Sequence, residues 1–143
     1  MIMPDVNIIV GAMRINDPHH HQLKEWLANA VDGTTPLGMS TFVIGGVVRV
    51  MSSLKIEHNR KSMREVVSDL DRLLRRRNVE IVYPGPRHWD LFSWLCNTSG
   101  FSGGRVSDLQ HAAIAIEYDA TWVSLDQDFA RIPSLRWELP SLN

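Results

Sequence analysis

The chain has 143 residues, 44% of them apolar and 22% charged, with a formal net charge of −1. This length fits one domain over 1–143, and the composition excludes a disordered chain. The near balance of charges excludes nucleic-acid binding by gross positive charge, so any such binding has to use a local basic patch. With one cysteine, no basic leader and an apolar run no longer than Phe42–Val48, we expect a cytoplasmic protein with no membrane contact.

Short apolar runs alternate along the chain with segments of helical periodicity. The apolar runs predict strands over 2–5, 37–39, 80–83, 121–125 and 135–137. The periodic segments predict helices over 17–31, 62–77, 87–98 and from 107 onward, and a glycine-rich loop at 100–104 precedes the last of them. The apolar segment 40–53 fits a helix or a strand, and its length favours a helix. Strands that alternate with helices favour an α/β fold with a mostly parallel sheet.

Local signals mark where these helices begin and end. Asp17-Pro18 places an N-cap before a proline that fits the first helical position. Ser62–Glu65 and Ser107–Gln110 each have the spacing of a capping box, in which the serine caps the helix and the acid or amide bonds back. Arg75–Arg77 suits a helix end, because cations there complement the exposed carbonyls.

Several side chains on these helices are expected to be buried. Cys96 falls on an apolar helix face and is expected to behave as a small core residue. Trp26, Trp89 and Trp94 fall in amphipathic helices, which predicts positions in the core or in a dimer interface.

Three aspartates fall at corresponding ends of the predicted elements. Asp5 and Asp126 each follow a buried strand, and Asp108 lies in the first turn of a helix. Ligands of parallel sheets bind beyond the carboxyl ends of the strands, where the helices also begin. The three carboxylates are therefore predicted to converge on one edge of the sheet, although they come from distant parts of the chain.

Carboxylates that converge in this way raise one another's pKa, and a divalent cation removes the repulsion. Oxygen ligands favour Mg²⁺ or Mn²⁺ over zinc. Such an ion lowers the pKa of a bound water and bridges a phosphate oxygen, which is the chemistry of metal-assisted phosphodiester cleavage. The alternative is that each aspartate only caps a helix or forms a turn.

Segments along nearly the whole chain resemble the motifs of one family. They are Met3–Val10, Pro84–Trp89, Val106–Glu117, Thr121–Pro133 and Leu135–Trp137. In this order they are similar to the opening strand, the segment before the central helix, the third acidic motif, the last motif and the tail of the PIN-domain ribonucleases, specifically of the VapC toxins of bacterial toxin–antitoxin pairs.

The resemblance implies a PIN-like three-layer α/β/α fold with a mostly parallel sheet of four to five strands. It also implies an endoribonuclease toxin that requires Mg²⁺ or Mn²⁺. Asp5 and Asp108 match the main metal ligands and Asp126 the fourth acidic position, so these three are the expected catalytic and metal-binding residues. Asp128 could assist, and Asn7 matches a polar position that orients the first aspartate. Family members act on RNA, usually form homodimers and are silenced by a cognate VapB antitoxin.

One position departs from the family pattern. Many PIN ribonucleases carry a Glu on the second helix three residues before an Arg; here Arg49 is present, but Gly46 takes the place of the acid. The missing carboxylate predicts weaker metal binding and leaves open whether one or two ions act. The alternative function is therefore a catalytically weakened PIN-fold binding module. A receiver-type phosphorylation switch is disfavoured, because Asp5 has no acidic neighbour and no lysine follows Lys61.

Other charged clusters give less specific signals. Adjacent histidines at 19–21 point in different directions at a helix start and cannot all bind one ion. Arg49, Arg105 and Arg131 are the better candidates for contact with RNA phosphate, because each lies close in sequence to an acidic motif or to the position that lacks the acid. Structural ion pairing is the alternative for each of them.

Overall fold

The computed structural model describes residues 1–53 and 61–142. Within them, five strands form one sheet: β1 (Ile2–Pro4), β2 (Leu37–Ser40), β3 (Val79–Val82), β4 (Thr121–Val123) and β5 (Arg136–Glu138). The same ranges contain the helices α1 (Val6–Met13), α2 (His20–Asp32), α3 (Thr41–Ser53), α4 (Met63–Leu74), α5 (His88–Thr98) and α6 (Val106–Glu117). Short 3₁₀ turns lie at Gly103–Arg105 and Gln127–Arg131. No helix in the described ranges is long and apolar enough to cross a membrane.

The sheet is parallel throughout and has the strand order β3-β2-β1-β4-β5. In the sheet, β2 lies beside β1 and β3 lies beyond β2. The chain then crosses to the other side of β1, where β4 pairs with β1 and β5 pairs with β4. Because Pro4 pairs with Val123, β1 and β4 end side by side. This is the point at which the order of the strands reverses, and a crevice opens beyond the ends of such a pair of strands.

The central strands β1, β2 and β4 are buried on both faces, which confirms the predicted α/β/α architecture. Trp122 and Val123 are adjacent in β4 and belong to different apolar clusters, because successive strand residues point to opposite faces. Val123 packs with Ile8, Ala12 and Leu23 from the first two helices. Trp122 belongs to the larger cluster, which α3 to α6 cover. Short strands buried on both faces carry apolar runs rather than an alternating pattern.

The opening strand is shorter than its resemblance over Met3–Val10 implies. It ends at Pro4, and Asp5 turns the chain into α1 by accepting a hydrogen bond from the backbone N–H of Val6 at 2.6 Å. The apolar residues 8–10 are buried on a helix. The predicted end of the strand at Asp5 is confirmed, but the helix over 6–13 was not predicted, because a short run of buried apolar residues has no period that separates a strand from a helix.

The helix starts agree with the capping signals in part. At α4 the capping box of Ser62 and Glu65 is formed, as predicted. The box predicted at Ser107 is wrong: α6 begins one residue earlier, continues from the 3₁₀ turn and has no side-chain cap. Asp17 accepts a hydrogen bond from the N–H of His19 at 2.8 Å, and α2 begins only at His20.

The expected burial of Cys96 on α5 is wrong, because Cys96 is exposed, whereas its neighbour Leu95 is fully buried. Trp89 is 70% and Trp94 41% exposed, so neither lies in the core of the chain, and their predicted place in a dimer interface stays a prediction. This helix packs mainly against α6, so its apolar stripe is narrow. Helical periodicity predicts that a stripe exists, and the neighbouring elements decide how wide it is.

Candidate functional site

The three predicted aspartates share the crevice beyond β1 and β4. Asp5 follows β1 directly, Asp108 lies in the first turn of α6, and Asp126 follows β4 and caps the 3₁₀ turn that begins at Gln127. The carboxylates lie close enough for the charges of Asp108 and Asp126 to act on Asp5. The structure thus brings together residues that are separated by most of the chain.

A buried hydrogen-bond network fixes the carboxylate of Asp5, which is only 8% exposed. Its Oδ1 accepts from the Val6 N–H, and its Oδ2 accepts from Nδ2 of Asn7 at 3.0 Å and from the hydroxyl of Ser124 at 2.6 Å. Because Asn7 approaches this oxygen from the first turn of α1 and Ser124 approaches it from the end of β4, the carboxylate has a fixed orientation.

Ser124 also links Asp5 to Asp126. Its hydroxyl oxygen accepts from the backbone N–H of Asp126 at 3.0 Å and from Nδ2 of Asn7 at 3.1 Å. Oδ1 of Asn7 accepts in turn from the N–H of Leu125 at 3.3 Å. Ser124 is fully buried and was missed by the sequence reasoning. A single serine between two apolar residues, two positions before a candidate aspartate, was the available signal.

The electrostatics of this crevice favour the binding of a cation. Burial raises the pKa of Asp5 to about 6, and the charges of Asp108 and Asp126 add to the effect, while hydrogen bonds from Ser124 and Val6 oppose it. Burial also raises the pKa of Asp108, helped by the charge of Asp126 and opposed by Arg105. Ionisation of both Asp5 and Asp108 is therefore unfavourable unless a cation is bound beside them.

The donor set fits a hard divalent ion. It consists of carboxylate oxygens, which suit Mg²⁺ and Mn²⁺ better than zinc. Among residues 1–53 and 61–142, no group of three or more histidine, cysteine, aspartate or glutamate side chains is arranged closely enough to hold a metal ion. Loosely spaced carboxylates still suit Mg²⁺, because this ion keeps several of its waters and uses one or two carboxylates.

A second set of charges borders the crevice. The Arg105 guanidinium forms an ion pair with Oδ2 of Asp128, and its Nη1 lies 3.8 Å from Oδ2 of Asp108. Nη1 of Arg131 lies 3.8 Å from Oδ1 of Asp128. Both guanidinium carbons lie 5.7 Å from the centre of the Phe101 ring. Asp128 therefore forms ion pairs with two arginines, whereas Asp5 is held by hydrogen bonds from uncharged groups.

The model of the PIN domain family matches residues 2–135. The chain belongs to the PIN-domain family. This PIN domain is 31% identical to Ribonuclease VapC33 of Mycobacterium tuberculosis over 140 residues, which cover 98% of each chain. It is 32% identical to Ribonuclease VapC43 of the same organism over 140 residues, 98% of this chain and 95% of the relative. These relatives place it with the VapC ribonucleases, as the sequence motifs indicated.

Solved structures agree with this assignment. The PIN domain matches a chain of VapBC2 from Rickettsia felis, solved with a DNA fragment from the promoter, with a TM-score of 0.72 and 26% identity over 97% of this chain and 98% of that one. VapC20 of Mycobacterium tuberculosis, a toxin that cleaves the sarcin–ricin loop, matches with a TM-score of 0.69 over 95% and 99% of the two chains. At 15% identity the second match shows the fold alone.

The departure at Gly46 has a structural counterpart in this PIN domain. A Cβ built at Gly46 would lie 2.7 Å from Cγ2 of Val6, the residue after Asp5. The Val6 side chain therefore fills the space in which a side chain at position 46 would begin, and α3 packs closely against α1. On α3, Arg49 is exposed to solvent, and no residue of this helix carries a carboxylate.

The histidines divide into two groups. At the start of α2, Nδ1 of His20 hydrogen-bonds with the carbonyl of Gly11 at 3.0 Å, while His19 and His21 are exposed. His111 lies on α6, one turn after Asp108, and its ring stacks on Trp122 at 5.1 Å between centroids. Burial lowers the pKa of His111 to about 4, so its ring is neutral at physiological pH.

Proposed function

We propose that this PIN domain is a metal-dependent endoribonuclease and the toxin of a toxin–antitoxin pair, acting in the cytoplasm. The observation that carries the proposal is the convergence of Asp5, Asp108 and Asp126 in one crevice at the ends of two adjacent strands. Relatives that match the chain over almost its full length are named ribonucleases, which supports RNA as the substrate.

In the proposed site, Asp5, Asp108 and Asp126 would hold Mg²⁺ or Mn²⁺. The bound ion supplies an activated water and neutralises charge that develops on the scissile phosphate. The chain itself provides orientation: the hydrogen bonds from Ser124 and Asn7 keep one oxygen of Asp5 in place. The amino end of α6 adds a positive potential beside Asp108, which favours an anionic phosphate.

The reaction is hydrolysis of a phosphodiester. The water oxygen forms a bond to phosphorus, the bond from phosphorus to the 3′ oxygen breaks, and that oxygen leaves and takes up a proton. The products carry 5′-phosphate and 3′-hydroxyl ends.

Two protein partners belong to the proposal. A VapB-like antitoxin is the expected inhibitor, because the matched chain from Rickettsia felis is part of a VapBC complex. A second copy of the chain is the other expected partner. Large exposed aromatic side chains often mark such contacts, and Trp89 on α5 is 70% exposed. Sedimentation of wild type and of Trp89→Ser tests this homodimer, and we expect the dimer to be weaker in the variant.

The function is tested by incubating the purified protein with structured RNA in Mn²⁺ or Mg²⁺ and mapping the ends of the products. Wild type is expected to cleave, and Asp5→Asn to lose at least about 100-fold in rate, because one charged ligand is gone. Asp71→Asn, an exposed aspartate paired with Arg75, is the matched control and should keep the wild-type rate. Equal cleavage by wild type and Asp5→Asn would refute the proposal.

The second candidate function is a binding module with weak or no turnover. It is favoured by one observation, the space next to Gly46 that Val6 occupies in place of an acidic side chain. Titration with Mn²⁺ separates the two candidates. Binding that Asp5→Asn abolishes supports the enzyme, and no binding at millimolar Mn²⁺ together with undiminished RNA affinity supports the module.

A further inference from the structure

Two arginines and one aromatic ring border the acidic crevice. Arg105 belongs to the 3₁₀ turn before α6, and Arg131 ends the turn that follows β4. Their guanidinium groups lie at equal distances, 5.7 Å, from the centre of the Phe101 ring. Phe101 is buried, so it gives both arginines a fixed surface to pack on. We call Arg105 and Arg131 the arginine pair.

The charges of the arginine pair are only partly balanced. Asp128 is the carboxylate that contacts both guanidinium groups, and Arg105 lies 3.8 Å from Asp108 as well. The side chains are 47% exposed for Arg105 and 70% exposed for Arg131. Donor groups of both therefore point to solvent. By contrast, Arg76 on the far edge of the sheet pairs with its own aspartate, Asp32, at 2.7 Å.

The arginine pair can offset the repulsion between the carboxylates of the crevice and the phosphates of RNA. A cluster of carboxylates repels the phosphates of RNA, so a substrate strand needs a positive contact near the point of cleavage. Guanidinium groups bind phosphate through two parallel hydrogen bonds. Because Arg105 contacts Asp108, a phosphate held by the arginine pair lies next to the carboxylates and not at a distant surface.

We propose that Arg105 and Arg131 together bind a backbone phosphate of the RNA strand next to the scissile bond, and that Asp128 positions the two guanidinium groups rather than binding metal. The inference rests on the proposed function and adds to it the residues that position the substrate. It assigns Asp128 a role different from that of Asp126, although the two aspartates are only two residues apart.

The test measures binding without cleavage. Fluorescence anisotropy of a labelled single-stranded RNA is recorded in EDTA at several salt concentrations. Arg105→Gln and Arg131→Gln are each expected to lose about tenfold in affinity, and the slope of log affinity against log salt should fall by about one. Arg76→Gln, equally exposed and far from the crevice, is the control and should bind within twofold of wild type. Arg105→Lys should keep the slope and regain part of the affinity.

Titration with Mn²⁺ separates the proposed role from a merely structural one. Arg105→Gln should bind Mn²⁺ as tightly as wild type or more tightly, because a cation beside Asp108 is removed. Asp128→Asn should change Mn²⁺ affinity by no more than about threefold, whereas Asp126→Asn should lose at least about tenfold. A tenfold loss for Asp128→Asn would make Asp128 a metal ligand and overturn its assigned role.

Two further outcomes would overturn the phosphate contact. The first is RNA affinity within twofold of wild type for both arginine variants. The second is unchanged RNA affinity together with lost binding of poly-L-glutamate, which would assign the pair to an acidic protein segment. None of these measurements needs cleavage. Failure of the nuclease proposal, seen as equal activity of wild type and Asp5→Asn, is therefore distinguishable from failure of this inference.

Discussion

Asp5 should destabilise the metal-free protein at neutral pH. Burial raises its pKa from 3.8 to about 6. Because the folded protein holds this proton more tightly than the unfolded chain, the contribution to stability is fully present below pH 3.8 and is lost as the pH rises through 6. Since one pKa unit corresponds to about 1.4 kcal/mol, the ionised carboxylate costs the native state about 3 kcal/mol at pH 7.5.

The substitution Asp5→Asn removes this charge and keeps an acceptor for the Val6 N–H. We expect the variant, in EDTA at pH 7.5, to have a free energy of unfolding about 1–3 kcal/mol higher than wild type in urea titrations. The lower end allows for hydrogen bonds from Asn7 and Ser124 that an amide satisfies less well. The difference should shrink as the pH falls towards 4. Asp71→Asn, exposed on α4, should change stability by less than about 1 kcal/mol.

Adding Mn²⁺ should make wild type more stable to unfolding than Asp5→Asn, which reverses the order expected in EDTA. A ligand that binds only the folded state stabilises it by RT ln(1 + [L]/Kd), and wild type should gain this stabilisation while Asp5→Asn gains little. If metal-free Asp5→Asn is less stable than wild type at pH 7.5, or if the difference does not depend on pH, the carboxylate is not destabilised by burial and this reasoning is refuted.

Three further predictions concern stability and metal binding. In the Asp5→Asn background, stability should fall by about 2–3 kcal/mol as the pH drops from 6.5 to 4, because the pKa of His111 is lowered to about 4; His111→Phe should remove this dependence in urea titrations. Gly46→Ala should lower the free energy of unfolding by about 1–3 kcal/mol, because the added methyl group collides with Val6. Gly45→Ala has open space around it and should leave the free energy of unfolding unchanged or raise it slightly. Equal effects of the two substitutions in urea titrations would contradict the close packing at Gly46. Ser124→Ala should move the pH midpoint of Mn²⁺ binding upward, because a hydrogen bond that lowers the pKa of Asp5 is lost; an unchanged midpoint would show that this bond does not act on Asp5.

The fold could be predicted largely from local patterns. The length of the apolar segment 40–53 predicts the helix found there, and Ser62 and Glu65 form the capping box that their spacing predicts. Both signals are local, so tertiary contacts did not have to be known. The start of α1 after Asp5 and the exposure of Cys96 could not be predicted, because each depends on which elements pack against that part of the chain.

The convergence of the aspartates could be predicted for a different reason. A parallel sheet places the carboxyl ends of its strands and the amino ends of its helices at one edge, so topology alone brings Asp5 and Asp108 together. The contacts that tune the site depend on three-dimensional neighbours instead. Nothing in the sequence links Ser124 to Asp5, Asp128 to Arg105 or Val6 to Gly46.

The central claim, that Asp5, Asp108 and Asp126 together hold one divalent site, is tested most directly by calorimetric titration of the protein with Mn²⁺. Wild type is expected to bind, and Asp5→Asn, Asp108→Asn and Asp126→Asn should each bind at least about tenfold more weakly while remaining folded in circular dichroism. Mn²⁺ affinity that is the same in wild type and all three variants would contradict the account.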